Sequence, residues 1–163
     1  MEPPKPVYQC RIFKVFEEEV TLPHGRVSRQ SRIEHQPCIA VVPIDEKGQI
    51  ILIRQYRHAV GQVLLEIPAG GLDVGEESIE DCVQRELAEE IGYQAKRLVR
   101  LFSGYLVPGY CDEYMHYYLA LDLFPASLPP DDDEEIETIR VSREDAGKMI
   151  KNGEICDSKT ALG

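Results

Sequence analysis

Basic residues are in short supply in this chain. Eighteen Lys and Arg stand against 29 Asp and Glu, for a net charge of −11. Nonspecific nucleic-acid binding needs clustered Lys and Arg to displace counterions, so no nucleic-acid partner is expected. A small anionic ligand is still admissible, because divalent cations bridge acidic side chains to phosphates. No apolar run approaches the ~20 residues of a membrane span, so no membrane partner is expected either. Residues 1–6 are proline-rich and lack the apolar centre of a secretory signal, so the expected compartment is the cytoplasm. The five cysteines, Cys10, Cys38, Cys82, Cys111 and Cys156, are odd in number and contain no Cys-x-x-Cys pair. Neither a zinc spacing nor a disulfide framework is visible, and they read as reduced, structural thiols. The four histidines, His24, His35, His58 and His116, are scattered and show no ligand spacing.

What is present fits one domain. A length of 163 residues allows a real core. Residues 8–18 alternate and are rich in Val, Ile and Phe, as in a strand, and 26–34 returns after a turn at 22–25. Residues 38–44 form a continuous apolar run that suits a strand buried on both faces. Residues 45–48 read as a hairpin turn, with 49–55 as the partner strand. Shorter strands are expected at 63–67, 96–102, 114–121 and 136–141. Helices are expected at 78–91 and 143–151, and 157–160 reads as another helix start. Ser78 suits an N-cap, with Asp81 three residues on, and Gly92 is placed to end the first helix. The pattern predicts an α+β sandwich, a mixed sheet with helices packed on its faces.

The informative chemistry lies on the 78–91 helix and the loop before it. Ile79, Cys82, Val83, Leu87 and Ile91 give an apolar stripe at helical spacing. Glu86 and Glu90 are four residues apart, so they share a face, and Glu89 flanks them. Carboxylates crowded in this way repel. Arg85 offsets part of that repulsion, and the remainder asks for a hard divalent cation such as Mg²⁺ or Mn²⁺. Glycines ahead of the helix permit a tight turn and a close approach of backbone to the metal.

The spacing Gly71, Glu77, Arg85, Glu86, Leu87, Glu89, Glu90, Gly92 matches the Nudix box, lying on the loop and helix that box requires. Tyr93 departs from the bulky apolar residue the family prefers at the final position. Beyond the box, residues 40–44, 52–57 and 65–70 resemble the core strands of the ADP-ribose pyrophosphatase branch, and residues 153–157 are similar to its closing segment. The branch also carries a proline beyond the box, where Pro108 stands. The doubled Gly70-Gly71 is a departure, one residue more between Ala69 and the helix.

The resemblance implies a Nudix-type α/β/α sandwich over 37–163, preceded by a small antiparallel sheet over 1–36. In similar proteins those first strands swap across a dimer, so a homodimer is expected; the alternative is that they cap their own subunit. Glu86, Glu90 and Glu89 would bind Mg²⁺, or Mn²⁺, together with the Ala69 carbonyl. Arg85 and Glu77 would orient those carboxylates. The catalytic set implied is Glu89, Glu90, Glu134 and Arg85. Glu134 best matches a metal contact supplied by the acidic 131–135 loop, and a general base falls at Asp132 or Asp133. Arg54 and Arg57 are candidates to grip a diphosphate, because guanidinium matches phosphate oxygens bidentately. Glu66 is a candidate for a base or sugar edge, and Pro108 completes the substrate-binding set.

The implied reaction is Mg²⁺-dependent hydrolysis of ADP-ribose, a small nucleotide sugar, to AMP and ribose 5-phosphate. One rival is a hydrolase of GDP- or UDP-sugars, since the box reads only the diphosphate. The other is a sensor that binds ADP-ribose without cleaving it. Such sensors lose box carboxylates, and all of them are present here.

Overall fold

The computed structural model describes residues 5–73, 75–129 and 136–163. In chain order these form β1 (Tyr8–Gln9), β2 (Phe13–Thr21), β3 (Val27–His35), β4 (Cys38–Pro43), β5 (Ile50–Arg57), β6 (Gln62–Glu66) and β7 (Ala69–Gly71). Then come α1 (Ile79–Glu90), β8 (Tyr93–Tyr105), β9 (Tyr114–Pro125), β10 (Ile136–Val141), α2 (Arg143–Asn152) and α3 (Ser158–Leu162).

The 38–44 run behaves as a strand covered on both faces. Every residue of β4 is buried. Strand alternation divides its side chains between two cores. Ile39 and Val41 join Ile51 and Ile53 of β5 and Cys82, Val83, Leu87 and Ile91 of the α1 region. Cys38, Ala40 and Val42 join Leu52, Ile67, Met115, Tyr117 and Ile155, with Met149 of α2 packed alongside. Each buried Ile, Leu or Val contributes on the order of 1.5–3 kcal/mol. Two cores that share the same strands therefore lock α1 on one side and α2 on the other, which is the expected α/β/α layering.

The mixed sheet has the order β7-β4-β9-β8, with β4 parallel to β9 and antiparallel to β7. A second sheet, antiparallel, has the order β10-β5-β6. The division corrects one sequence expectation. The 45–48 turn forms, with Asp45 Oδ1 accepting from the Lys47 and Gln49 amides at 2.9 Å each. Its flanking strands, however, are not hairpin partners. They share one bridge, Ile44 to Ile50, and then diverge into different sheets. The edges of both strands are taken by other elements: β4 lies between β7 and β9, and β5 between β10 and β6.

The strand expected at 8–18 breaks at Arg11 and Ile12. β1 folds back on β2, with Tyr8 opposite Val15. The β1-β2-β3 sheet is separate from the other two. It is joined to the rest through Ile33, whose amide donates to the Tyr110 carbonyl at 2.7 Å. Val7, Tyr8, Ile12 and Val27 remain exposed on it.

The caps place the helices as expected. Ser78 Oγ accepts from the Asp81 amide at 3.1 Å, and Gly92 takes a left-handed φ of +74° that stops α1. Asp157 caps α3 by accepting from the Thr160 amide at 2.9 Å. Tyr93 packs against the α1-side core. Among the described residues, no helix is long and apolar enough to cross a membrane.

Candidate active site

Glu86 and Glu90 of α1 do not lie on a solvated helix face. Glu86 is 8% exposed and Glu90 6%. Both sit where the helix meets β7, and Glu90 Oε2 accepts from the Ala69 amide at 3.1 Å. Burying a charge is costly unless it is paired, so such a site needs a specific arrangement of partners. Arg85 supplies most of it. Its Nη1 donates to Glu86 at 2.7 Å and to Glu89 at 3.0 Å. Its Nη2 reaches Glu77 at 2.8 Å and the Gly71 carbonyl at 3.1 Å. Hydrogen bonds donated to Glu77 raise the guanidinium pKa above its ordinary value; burial opposes this, and the charge of Glu86 adds to it. The reciprocal contact with Arg85 holds the Glu77 carboxyl below the usual range against burial, with help from the Asp73 amide. Arg85 thus fixes the loop, the helix and the carboxylates to one another.

Gly70 completes the arrangement by having no side chain. A Cβ there would lie 1.9 Å from Glu86 Oε1. A Cβ on Gly71 would meet Gln36 Nε2 at 1.9 Å. The doubled glycine therefore makes room for a carboxylate on one side and an amide on the other. Three carboxylates (Glu77, Glu86, Glu89) share the Arg85 guanidinium, Glu90 is buried on the same helix against the Ala69 amide, and negative charge is in excess. Like charges about 4 Å apart repel by about 4 kcal/mol at a dielectric of 20. An oxygen-only donor set with excess charge and a cradle free of side chains fits a hard divalent cation.

The site opens into a cleft made of two adjoining cavities. The larger, about 600 Å³, is lined by Arg85, Glu86, Glu89, Asp73 and Arg11. The smaller, about 340 Å³, is lined by His35, Cys38, Glu113, Asp157 and Lys159. Arg57, Gln36, Ala69, Gly70 and Gly71 line both. Arg57 is held by a fork-to-fork contact with Glu66, at 2.8 and 2.7 Å. Lys159 of α3 also donates to Glu66 and, at 3.0 Å, to Asp157. Glu66 is buried and charged. Burial pushes its pKa up, but the contacts from Arg57 and Lys159 outweigh burial and hold it below the ordinary value.

Of the residues singled out in the sequence, Glu86, Glu89, Glu90, Arg85, Ala69 and Arg57 are brought together here. Glu66 lies behind Arg57, with both oxygens engaged by Arg57 and Lys159. Arg54 is not gathered. It is exposed and faces Glu137 of β10 at 3.9 Å, because β5 alternation sends it and Arg57 to opposite faces. Pro108 is exposed in the β8–β9 turn; Leu106 lines the cleft instead. Glu134, Asp132 and Asp133 lie outside the described residues. Sequence reasoning missed Gln36, Lys159 and Arg11. Lys159 had a faint signal, the helix start at 157–160, which presents a cation just after a capping Asp. His35 also was read as isolated, yet it lies beside Cys38 and Glu113.

Comparison with known proteins gives a consistent answer. The profile of the NUDIX domain matches residues 34–160. An ADP-ribose pyrophosphatase of Bacillus subtilis is 36% identical over 95% of this chain and 84% of its own length. A GDP-mannose pyrophosphatase of Yersinia pestis is 36% identical over 72% of this chain and 63% of its own. A crystal structure of an ADP compounds hydrolase superposes with a TM-score of 0.87 at 25% identity, over 99% of this chain and 87% of that one.

The geometry makes two predictions. Gly70→Ala should keep the fold but displace the Glu86 carboxylate, weakening Mg²⁺ affinity by roughly tenfold or more; a metal titration beside a thermal melt checks this. Because the Glu66 pKa is lowered on folding, its contribution to stability is present above the unfolded carboxylate pKa and lost as pH falls through the lowered folded value. The stability gap between the wild type and Glu66→Gln, followed by urea unfolding, should therefore shrink with acidification.

Proposed function

This chain belongs to the NUDIX family, and on that premise we propose that it hydrolyses the diphosphate bond of ADP-ribose, giving AMP and ribose 5-phosphate. The observation that carries the reading is the buried Glu86, tied to Arg85 in one cleft with Glu89 and Arg57, with Glu90 buried one turn on against the Ala69 amide. A buried anionic cluster facing a guanidinium across a cavity suits a ligand that brings both a diphosphate and its counterion.

Glu86, Glu90 and Glu89 would hold Mg²⁺, or Mn²⁺ in its place, with the Ala69 carbonyl as a further ligand. When bound, such an ion neutralises charge developing on the phosphate oxygens and lowers the pKa of water. The chain's own residues supply the rest. Arg85 keeps Glu86 and Glu89 from swinging apart. Glu66 aims the Arg57 guanidinium, which donates to a phosphate oxygen of the substrate. A carboxylate, Glu89 or an acid of the 131–135 loop such as Asp132 or Asp133, takes the proton of the attacking water, with Glu134 of the same loop as a metal contact. Water adds to one phosphorus, the bridging P–O bond breaks, and the second phosphate leaves with the electron pair. Lys159 donates to Glu66 Oε2, the oxygen that Arg57 Nη2 also meets, and so helps hold the same carboxylate.

The enzyme is proposed to act in the cytoplasm as a homodimer. The separate β1-β2-β3 sheet with exposed Val7, Tyr8 and Val27 supports the dimer. Arg11 and Ile12 reach the cleft of their own chain, so a partner would add to a wall already present. Light scattering on the eluting protein should give twice the monomer mass of 18.5 kDa; a monomer would leave the sheet capping its own subunit.

Incubation with ADP-ribose and Mg²⁺ should yield AMP and ribose 5-phosphate, and EDTA should abolish turnover. Glu90→Gln should retain the wild-type circular dichroism while lowering kcat roughly 100-fold or more. Turnover of GDP- or UDP-sugars in place of ADP-ribose would reassign the substrate. Tight ADP-ribose binding without products would make the protein a sensor.

A further inference from the structure

At the end of the cleft away from the α1 carboxylates, three side chains of different chemistry converge. His35 ends β3, Cys38 begins β4, and Glu113 precedes β9. A ligand atom from each lies within 4.8 Å of the others. Cys38 Sγ is 3.8 Å from His35 Nδ1. A tetrahedral zinc ion, with Zn–S near 2.3 Å and Zn–N near 2.0 Å, sets sulfur and nitrogen about 3.6 Å apart. The observed spacing is close to that.

The backbone accounts for the convergence. The His35 amide donates to Asp112 Oδ1 at 2.8 Å, which ties the end of β3 to the residue before Glu113. Cys38 is opposite Met115 in the β4–β9 ladder. His35 Nδ1 also faces the Gln36 carbonyl at 2.7 Å, a contact the ring would exchange for a cation. All three side chains line the cavity of about 340 Å³, so solvent reaches them from the cleft.

We propose that His35, Cys38 and Glu113 form a second cation site, specific for a thiophilic divalent ion of the Zn²⁺ class and separate from the α1 glutamates. Sulfur and imidazole donors favour zinc over magnesium, whereas the all-oxygen set on α1 favours magnesium. Binding transfers the Cys38 thiol proton to solvent, and the thiolate makes the metal bond. Three protein ligands leave a fourth position toward the cleft, for water or a phosphate oxygen. The site does not depend on ADP-ribose being the substrate.

Co²⁺ is the probe, titrated into the full chain with Mg²⁺ in excess to fill the carboxylate site. The expected result is a thiolate-to-cobalt charge-transfer band saturating at one equivalent and bleached by Zn²⁺. Glu90→Gln should keep the band. Cys38→Ser should lose it, and His35→Gln and Glu113→Gln should each weaken Co²⁺ binding at least tenfold. The last two sit at partly exposed positions and carry the test if Cys38→Ser fails to fold. Absence of a band, a band that persists in Cys38→Ser, or unchanged affinity in both His35→Gln and Glu113→Gln would overturn the proposal.

Discussion

Two carboxylates are buried on one helix, and much of the surrounding structure exists to make that tolerable. Glu86 and Glu90 are more than nine-tenths covered, and the Arg85 guanidinium that meets Glu86 is shared with two further carboxylates. The Ala69 amide donates to Glu90, and one guanidinium is divided among Glu77, Glu86 and Glu89. Gly70 is bare because an atom at its Cβ position would occupy the place of Glu86 Oε1. Removing any one of these supports leaves charge in a low-dielectric pocket, where it is most costly. An apolar replacement would give a quieter helix, so the arrangement makes sense as a cation site rather than as a stabilising device.

Rigidity comes from the layers beneath. α1 is held by Cys82, Val83 and Leu87, all fully buried against β4 and β5. The same β4 carries Cys38 on its other face and pairs with β7, which bears Ala69 and Gly70. The helix with its glutamates and the loop that meets them are thus fixed to a common strand. The opposing wall is built independently. Glu66, at the end of β6, gathers Arg57 from β5 and Lys159 from α3, so the Arg57 guanidinium is aimed by a buried carboxylate. Both walls place charge by packing first and by ion pairing second.

The parts legible in the sequence are those set by local periodicity and by a dense motif. The 38–44 run, the α1 stripe, the Ser78 cap and the Gly92 stop each follow from residue spacing alone, and all are present. The cluster of Glu86, Glu89 and Glu90 with Arg85 was legible for the same reason, since helical spacing puts these residues on adjoining faces. What was not legible depends on which elements become neighbours. An apolar run announces burial but not its partner, so β4 and β5 were read as a hairpin when they enter different sheets. Arg54 and Arg57 looked equivalent until strand alternation was fixed in space. Lys159 reaches Glu66 across 93 residues of sequence, and His35 and Cys38 await Glu113 from a distant loop. The reason for Gly70 could not be read locally either, because the atom it avoids belongs to a helix further along the chain.

The most direct test of the central claim is a crystal structure with Mn²⁺ and a non-hydrolysable ADP-ribose analogue, with the metal located by its anomalous signal. The account predicts peaks within coordinating distance of Glu86 and Glu90 beside the Ala69 carbonyl, with the analogue's diphosphate reaching from the metal to Arg57. Metal bound away from those carboxylates, or a diphosphate that ignores Arg57, would contradict it.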